Sequence, residues 1–203
     1  SDRIASCAKA LEFINFRTEG RYKKVVGKLA GLQLREGPLV GRSGVLENIH
    51  GAIQEIKDKK SPSHYGVIFL GPQGIGKSRL LKEIKYRAEL EEVPVKELAC
   101  FEGRDHIEEF INLFKEVERP KNLSSNKPEE KRLAVVQWIN NLIEKFKKSG
   151  LMIMVDDIQW AGSSFVNFMN LLEERIHVNR TEGAMPILTL VGSRPKVELN
   201  EVL

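Results

Sequence analysis

Residues 65–78 read Tyr-Gly-Val-Ile-Phe-Leu-Gly-Pro-Gln-Gly-Ile-Gly-Lys-Ser, an apolar run followed by the pattern G-x-x-x-x-G-K-S from Gly71 to Ser78. The apolar run predicts a buried β-strand, and apolar residues at helical spacing predict a helix from Lys77 to about residue 91. In a strand–loop–helix unit of this kind, backbone N–H groups and the positive end of the helix converge on an anion. The stretch therefore predicts a phosphate-binding loop. A plain glycine-rich turn is the alternative, and the flanking strand and helix argue against it.

The loop also contains candidate ligands for a nucleoside triphosphate and its metal ion. The Lys77 ammonium would reach the β- and γ-phosphates, and the Ser78 hydroxyl would ligate Mg²⁺. We therefore expect ATP or ADP, with Mg²⁺, as the cofactors. The other candidate nucleotide contacts of the loop are Gly71, Pro72, Gln73, Gly74, Ile75, Gly76 and Arg79.

A second candidate element is the apolar run 151–155, which is followed by Asp156 and Asp157. A carboxylate at the end of a buried parallel strand points into the crevice where phosphates bind, and Mg²⁺ prefers oxygen ligands. We expect Asp156 to hold Mg²⁺ or its waters, and Asp157 to orient or deprotonate the attacking water. The alternative is that the two aspartates only end a strand and cap a turn.

A third candidate element follows the apolar run 186–192. Ser193 and Arg194 lie at the end of this strand, where either side chain could sense a γ-phosphate. A solvated arginine remains an equal alternative. Of the remaining side chains singled out, Trp160 is predicted to be a packed aromatic and Cys100 a buried small hydrophobe.

Strands and helices alternate along residues 43–192, which predicts an α/β fold with an open parallel sheet and helices on both faces. The continuous apolar strands agree, because a parallel sheet is covered on both sides. The predicted strands are 65–71, 93–100, 151–155 and 186–192. The predicted helices are 43–59, 77–91, 105–117, 129–148 and 163–176.

Composition excludes several classes of protein. The 203 residues contain two cysteines and four scattered histidines, so a disulfide framework or a zinc site is not expected. The net charge is +4, but basic and acidic residues are interleaved, which argues against nucleic-acid binding. No apolar run is long enough to span a bilayer, and no signal peptide is recognisable. We expect a cytoplasmic protein without membrane contact. Because the chain opens with Ser1, we also expect it to be part of something longer.

Four stretches in one order resemble AAA-type ATPase modules of the STAND signalling class, over about residues 38–196. They are Leu39 to Arg42, the glycine-rich loop, VDDIQWA at 155–161 and LVGSRP at 190–195. The resemblance implies a P-loop NTPase with strand order 1-4-3-2, the fifth strand and the helical lid following residue 203. It also implies nucleotide contacts from Val40, Gly41 and Arg42. From the residues themselves, Ser193 is a further candidate nucleotide contact, and Lys77, Asp157 and Arg194 are the candidate catalytic residues.

The sequence departs from the family pattern at two positions. Ala161 is followed by Gly162, where the pattern continues with an acidic residue. The second acid is Asp157, where motor AAA+ proteins use glutamate, and the shorter side chain implies slow hydrolysis.

Residues 1–16 resemble the last helix of a Ser/Thr protein kinase domain, and a simple N-terminal helix is the alternative. The predicted organisation is a helical tail of a preceding domain at 1–18, a linker at 19–37 and a truncated ATPase core at 38–203. No kinase motif is found in the chain, so kinase activity is not expected here.

Three hypotheses for function follow. The preferred one is a slowly hydrolysing ATP/Mg²⁺ switch module of a larger signalling regulator, which contacts other domains of its own chain and could form a nucleotide-dependent homo-oligomer. The second is a nucleotide-binding scaffold that does not hydrolyse ATP. The third is a DNA-loading ATPase of the origin-recognition kind, which the Asp-Asp-x-x-Trp sequence and the even charge distribution argue against.

Overall fold

The computed structural model describes residues 41–121, 123, 127–181 and 183–195. The predicted tail at 1–18, the linker at 19–37 and the candidate contact Val40 lie outside the described residues. All four predicted strands and all five predicted helices from residue 43 onward lie within them.

The described residues form five α-helices, one short 3₁₀ helix and four β-strands. The strands are β1 Gly66–Leu70, β2 Val95–Ala99, β3 Leu151–Asp156 and β4 Ile187–Ser193. The helices are α1 Ser43–Lys57, α2 Lys77–Leu90, α3 His106–Leu113, α4 Pro128–Phe146 and α5 Ser163–Arg180, with the 3₁₀ helix at Ile158–Trp160.

The four strands form one parallel sheet in the order β1-β4-β3-β2, which confirms the predicted order and direction. The central strands β3 and β4 are buried along almost their whole length. Because all strands are parallel, their carboxyl ends lie along one edge of the sheet, and the loops after β1, β3 and β4 meet there.

Side chains of β3 alternate between two hydrophobic cores on opposite faces of the sheet. Met152 and Met154 pack with α1 and α2, whereas Ile153 and Val155 pack with α3, α4 and α5. Helices therefore cover both faces, as predicted. Since side chains two residues apart share a face of a strand, Asp156 lies on the face that carries α1 and α2.

One prediction about β1 is wrong. The strand was expected to be buried, but Ile68 and Leu70 are 60% and 65% exposed. In the described part of the chain β1 pairs with β4 alone, so it forms an edge of the sheet, and the face that carries these two side chains is largely uncovered. The apolar run alone does not separate an edge strand from a central one, whereas the order 1-4-3-2 implied by the family resemblance does place β1 at an edge.

Two helix ends also differ from prediction. Helix α3 ends at Leu113 instead of residue 117, because the backbone leaves the helical region at Phe114. Phe114 and Val117 are nevertheless buried, so their apolar character comes from core packing. Helix α5 continues to Arg180, four residues beyond the predicted end.

Among the helices of the described residues, none is both long enough and apolar enough to cross a bilayer.

Candidate functional site

The glycine-rich loop between β1 and α2 has a backbone that depends on two glycines. Gly74 and Gly76 have φ angles of +83° and +95°, which side-chain-bearing L residues rarely adopt. Gly76 is also the N-cap of α2, so the left-handed turn leads directly into the helix. The first N–H groups of a helix have no partners within it, so they are available to an anion at the end of the loop.

The Lys77 side chain folds back over this loop. Its ammonium donates hydrogen bonds to the carbonyl oxygens of Gly71, at 2.8 Å, and Pro72, at 3.0 Å. A lysine ammonium has three N–H donors, and these two bonds hold the charge inside the loop. The positive charge of Lys77 and the N-terminus of α2 therefore lie close together at the glycine-rich loop.

The other predicted contacts of the loop form its open rim. Pro72, Gln73, Gly74, Ile75 and Ser78 are exposed, and Gly71, Gly76 and Arg79 are half-buried. The Ser78 hydroxyl lies in the first turn of α2, on the side open to solvent. The structure thus places residues 71–79 on one loop and the first turn of α2.

Asp156 ends β3, and its carboxylate lies against the backbone of Gly192 in the neighbouring strand β4. A Cβ atom built on Gly192 would be 2.5 Å from Asp156 Oδ1 and 3.2 Å from Leu81 Cδ1. Leu81 belongs to α2, so the carboxylate lies on the face of the sheet that carries the helix of the glycine-rich loop. The absence of a side chain at Gly192 is what leaves room for it there.

Asp157 is held by a tight backbone turn. Its φ of +55° is in the left-handed region, which aspartate tolerates better than most residues. Its backbone N–H donates to its neighbour's carboxylate, Asp156 Oδ1, at 2.8 Å. The chain then enters the 3₁₀ helix Ile158–Trp160. Thus the backbone of Asp157 is held by the carboxylate of Asp156.

Arg194 connects the end of β4 to the glycine-rich loop and to the segment that follows β3. Its guanidinium donates from Nη1 to Gln73 Oε1 in the glycine-rich loop at 3.1 Å. Its Nε lies 3.9 Å from Asp157 Oδ1, and its Cζ lies 5.6 Å from the centre of the Trp160 ring. The Arg194 side chain is therefore held by residues of two other segments and is not freely solvated.

The prediction that Trp160 is a packed aromatic is wrong. Its side chain is 41% exposed, and it contacts Arg194 through a cation–π interaction. The cause is the 3₁₀ helix, which turns the chain out of the sheet directly after Asp157.

Of the predicted nucleotide contacts before α1, the structure describes Gly41 and Arg42. Arg42 donates from Nη2 to the carbonyl oxygen of Ile75 at 3.4 Å, so the start of α1 lies beside the glycine-rich loop. Gly41, with a φ of +73°, forms the turn before it. Ser193, the remaining predicted contact, donates its hydroxyl to the carbonyl oxygen of Arg194 at 3.1 Å.

Cys100 lies next to the site but is not suited to take part in it. Its backbone N–H donates to the carbonyl oxygen of Asp156 at 2.9 Å, and its side chain is buried. Burial raises the pKa of the Cys100 thiol to about 12. A thiol in this state is not a nucleophile at neutral pH, and the prediction of a buried small hydrophobe is confirmed.

Gln159 is a residue of the site that the sequence did not indicate. Its side-chain amide joins Asp157 to the backbone of Arg194. Gln159 lies within the stretch VDDIQWA at 155–161, but no role could be assigned to it from the sequence, because its partner Arg194 is distant in the chain. The importance of Gly192 had a weaker signal, since a glycine within an apolar strand suggests close approach of another group.

The scan against protein-family models and the search of curated proteins gave no match to this sequence. The search of solved structures found chains of similar structure, among them "Structure of C. elegans PCH-2". That comparison has 14% sequence identity and a TM-score of 0.45, and it covers 77% of this chain and 38% of that chain. A likeness of this strength carries no argument about function, so the functional assignment depends on the site geometry.

Proposed function

We propose that this chain is an ATP-binding module that uses Mg²⁺ and hydrolyses ATP slowly. The observation that carries the proposal is the position of Asp156. Its carboxylate faces the side of the sheet that carries α2, and α2 begins at the glycine-rich loop. This position supports a site in which the loop would bind phosphates and the Asp156 carboxylate would bind the metal ion.

The residues present fit a Mg²⁺-nucleotide complex. The backbone of 71–78 and the Lys77 ammonium would bind the phosphates, and Gly41 and Arg42 would lie toward the base. The Ser78 hydroxyl and the Asp156 carboxylate are both hard oxygen donors of the kind Mg²⁺ prefers, and waters and phosphate oxygens would complete the shell. When bound, the ion supplies neutralisation of phosphate charge.

For hydrolysis, the chain offers Asp157 to orient or deprotonate a water, and Arg194 to contact the γ-phosphate. Asp157 is one methylene shorter than glutamate, and a slow turnover follows from its shorter reach. We further propose that the module acts as a nucleotide-dependent switch in a larger signalling protein of the STAND type, which contacts other domains of its chain or further copies of itself. The order of the four sequence motifs supports this part of the proposal.

The test of nucleotide binding compares three nucleotides with and without Mg²⁺. ATP and ADP should each raise the melting temperature when Mg²⁺ is present, whereas AMP should not, because the loop binds the β-phosphate. Ser78→Ala should remove most of the Mg²⁺-dependent part of the shift. Equal shifts with ATP and AMP, or no shift with any nucleotide, would contradict the proposal.

A separate prediction concerns hydrolysis. Asp157→Ala should lower phosphate release at saturating Mg-ATP by about 10²- to 10⁴-fold, the range usual for loss of a general base, while the Kd for Mg-ATP stays within about threefold. Single-turnover assays with excess protein are sensitive enough for a slow enzyme. Unchanged release in Asp157→Ala would favour the non-hydrolysing scaffold, and salt-sensitive binding of duplex DNA would favour the DNA-loading alternative.

A further inference from the structure

The Gln159 side chain bridges the ends of two neighbouring strands. Its Nε2 donates to Asp157 Oδ1 at 2.7 Å, after β3, and its Oε1 accepts from the backbone N–H of Arg194 at 3.0 Å, after β4. One end of the amide must donate and the other must accept. A flipped amide would put two donors together at Arg194 and two acceptors together at Asp157, so the group has a single favourable orientation.

Arg194 closes these contacts into a ring. Its backbone N–H is bound by Gln159, and its own Nε lies 3.9 Å from Asp157 Oδ1. The same guanidinium reaches the glycine-rich loop through Gln73. A side chain that was absent from the predicted site therefore lies between the candidate water-binding carboxylate and the candidate γ-phosphate sensor.

Both contacts to the Asp157 carboxylate are made to the same oxygen, Oδ1. The backbone of Asp157 is fixed by its left-handed turn and by its hydrogen bond to Asp156, but a carboxylate can still rotate about its Cβ–Cγ bond. The hydrogen bond from Gln159, at 2.7 Å, is much the shorter of the two contacts and determines that rotation. Oδ2 is then the oxygen presented to a ligand.

We propose that Gln159 is a positioning residue for ATP hydrolysis: it holds Asp157 Oδ1 so that Oδ2 faces the attacking water. This inference rests on the proposed function. It also implies that a displacement of the Arg194 backbone by a bound γ-phosphate is passed to Asp157 through the Gln159 amide. Sensing of the nucleotide and orientation of the water are then coupled through one side chain.

Two substitutions separate this role from a merely structural one. Gln159→Glu keeps an acceptor for the Arg194 N–H but removes the donor to Asp157. Gln159→Met has nearly the same shape and removes both. Amide hydrogen exchange of Arg194, followed by NMR, reports the first contact, and single-turnover hydrolysis at saturating Mg-ATP reports the second.

In Gln159→Glu we expect the exchange rate of the Arg194 amide to stay within about threefold of the wild type, while hydrolysis falls by at least about tenfold, as expected for loss of a hydrogen bond to a charged group. In Gln159→Met we expect both readouts to change: the Arg194 amide exchanges at least about tenfold faster, and hydrolysis falls by a similar factor. The Kd for Mg-ATP of Gln159→Met should stay within about threefold of the wild type, because Gln159 contacts neither the loop nor the candidate metal ligands.

Three outcomes would overturn the inference. If Gln159→Glu hydrolyses ATP as fast as the wild type, Gln159 is not a positioning residue, and the proposed function is untouched. If the wild type binds Mg-ATP but does not hydrolyse it, the inference fails and nucleotide binding stands. If the wild type does not bind Mg-ATP, the proposed function fails as well. The binding assay on the wild type detects this outcome without any variant.

Discussion

Replacing Lys77 with alanine should weaken Mg-ATP binding by at least about 100-fold, which corresponds to about 2.8 kcal/mol. The ammonium is held inside the glycine-rich loop by the carbonyl oxygens of Gly71 and Pro72. There it lies next to the N-terminus of α2, so its loss removes charge-assisted hydrogen bonds to phosphate oxygens. Isothermal titration with Mg-ATP and with Mg-ADP measures the effect directly.

The matched control for this prediction is Lys82→Ala. Lys82 belongs to the same helix and is exposed, so the substitution removes the same charge without touching the loop. It should change the Kd for Mg-ATP by less than about threefold, because a solvated charge several residues away is strongly screened. Equal losses in both variants would mean that the nucleotide responds only to net charge, and the loop would not be its binding site.

Gly192→Ala should have the second large effect, on the stability of the fold and on Mg²⁺ dependence together. The new Cβ would be 2.5 Å from Asp156 Oδ1 and 3.2 Å from Leu81 Cδ1. Either the aspartate or the helix must move, and overpacking of this kind typically costs about 1–3 kcal/mol. Urea unfolding measures the loss of stability. The binding of ATP with and without Mg²⁺ measures the displacement of the carboxylate.

Gly51→Ala is a control that should change the stability of the fold in the opposite direction. Gly51 lies within α1, and a Cβ built there meets no atom within 4 Å. Alanine favours a helix over glycine by up to about 1 kcal/mol, so this variant should be slightly more stable than the wild type and should bind Mg-ATP equally well. The Gly192 prediction is wrong if Gly192→Ala unfolds at the wild-type urea concentration and keeps the full Mg²⁺ dependence.

Much of the fold could be read from short-range patterns. The apolar run at 151–155 and the largely apolar run at 186–192 predicted buried strands, and both proved to be central strands of the sheet. The apolar positions of α4 recur at helical spacing and are buried as predicted. Two features were predicted wrongly: the end of α3 at Leu113 and the burial of β1 on both faces. Both depend on which other residues pack against these elements, and the periodicity of the sequence carries no information on that.

The residues of the candidate site also divide into those that local sequence patterns indicated and those that they did not. Gly71 to Ser78 were singled out because the proposed contacts come from the backbone and side chains of one continuous segment. Asp156 was singled out because it directly follows a buried strand, and the carboxyl ends of parallel strands border the crevice where ligands bind. Gln159 and Trp160 could not, since their partner Arg194 is 35 residues from Gln159 in the chain.

The sequence alone therefore determined the order and type of the elements along the chain and the position of Asp156 at the end of a buried strand. These depend on residue types and on periods of two or 3.6 residues, which are local properties. The position of β4 between β1 and β3 was implied only by the family resemblance, and only the tertiary structure shows which side chains this position brings together. That placement brings Gly192 beneath Asp156, and Arg194 within reach of both Gln73 and Asp157, because parallel strands distant in sequence end at one edge of the sheet.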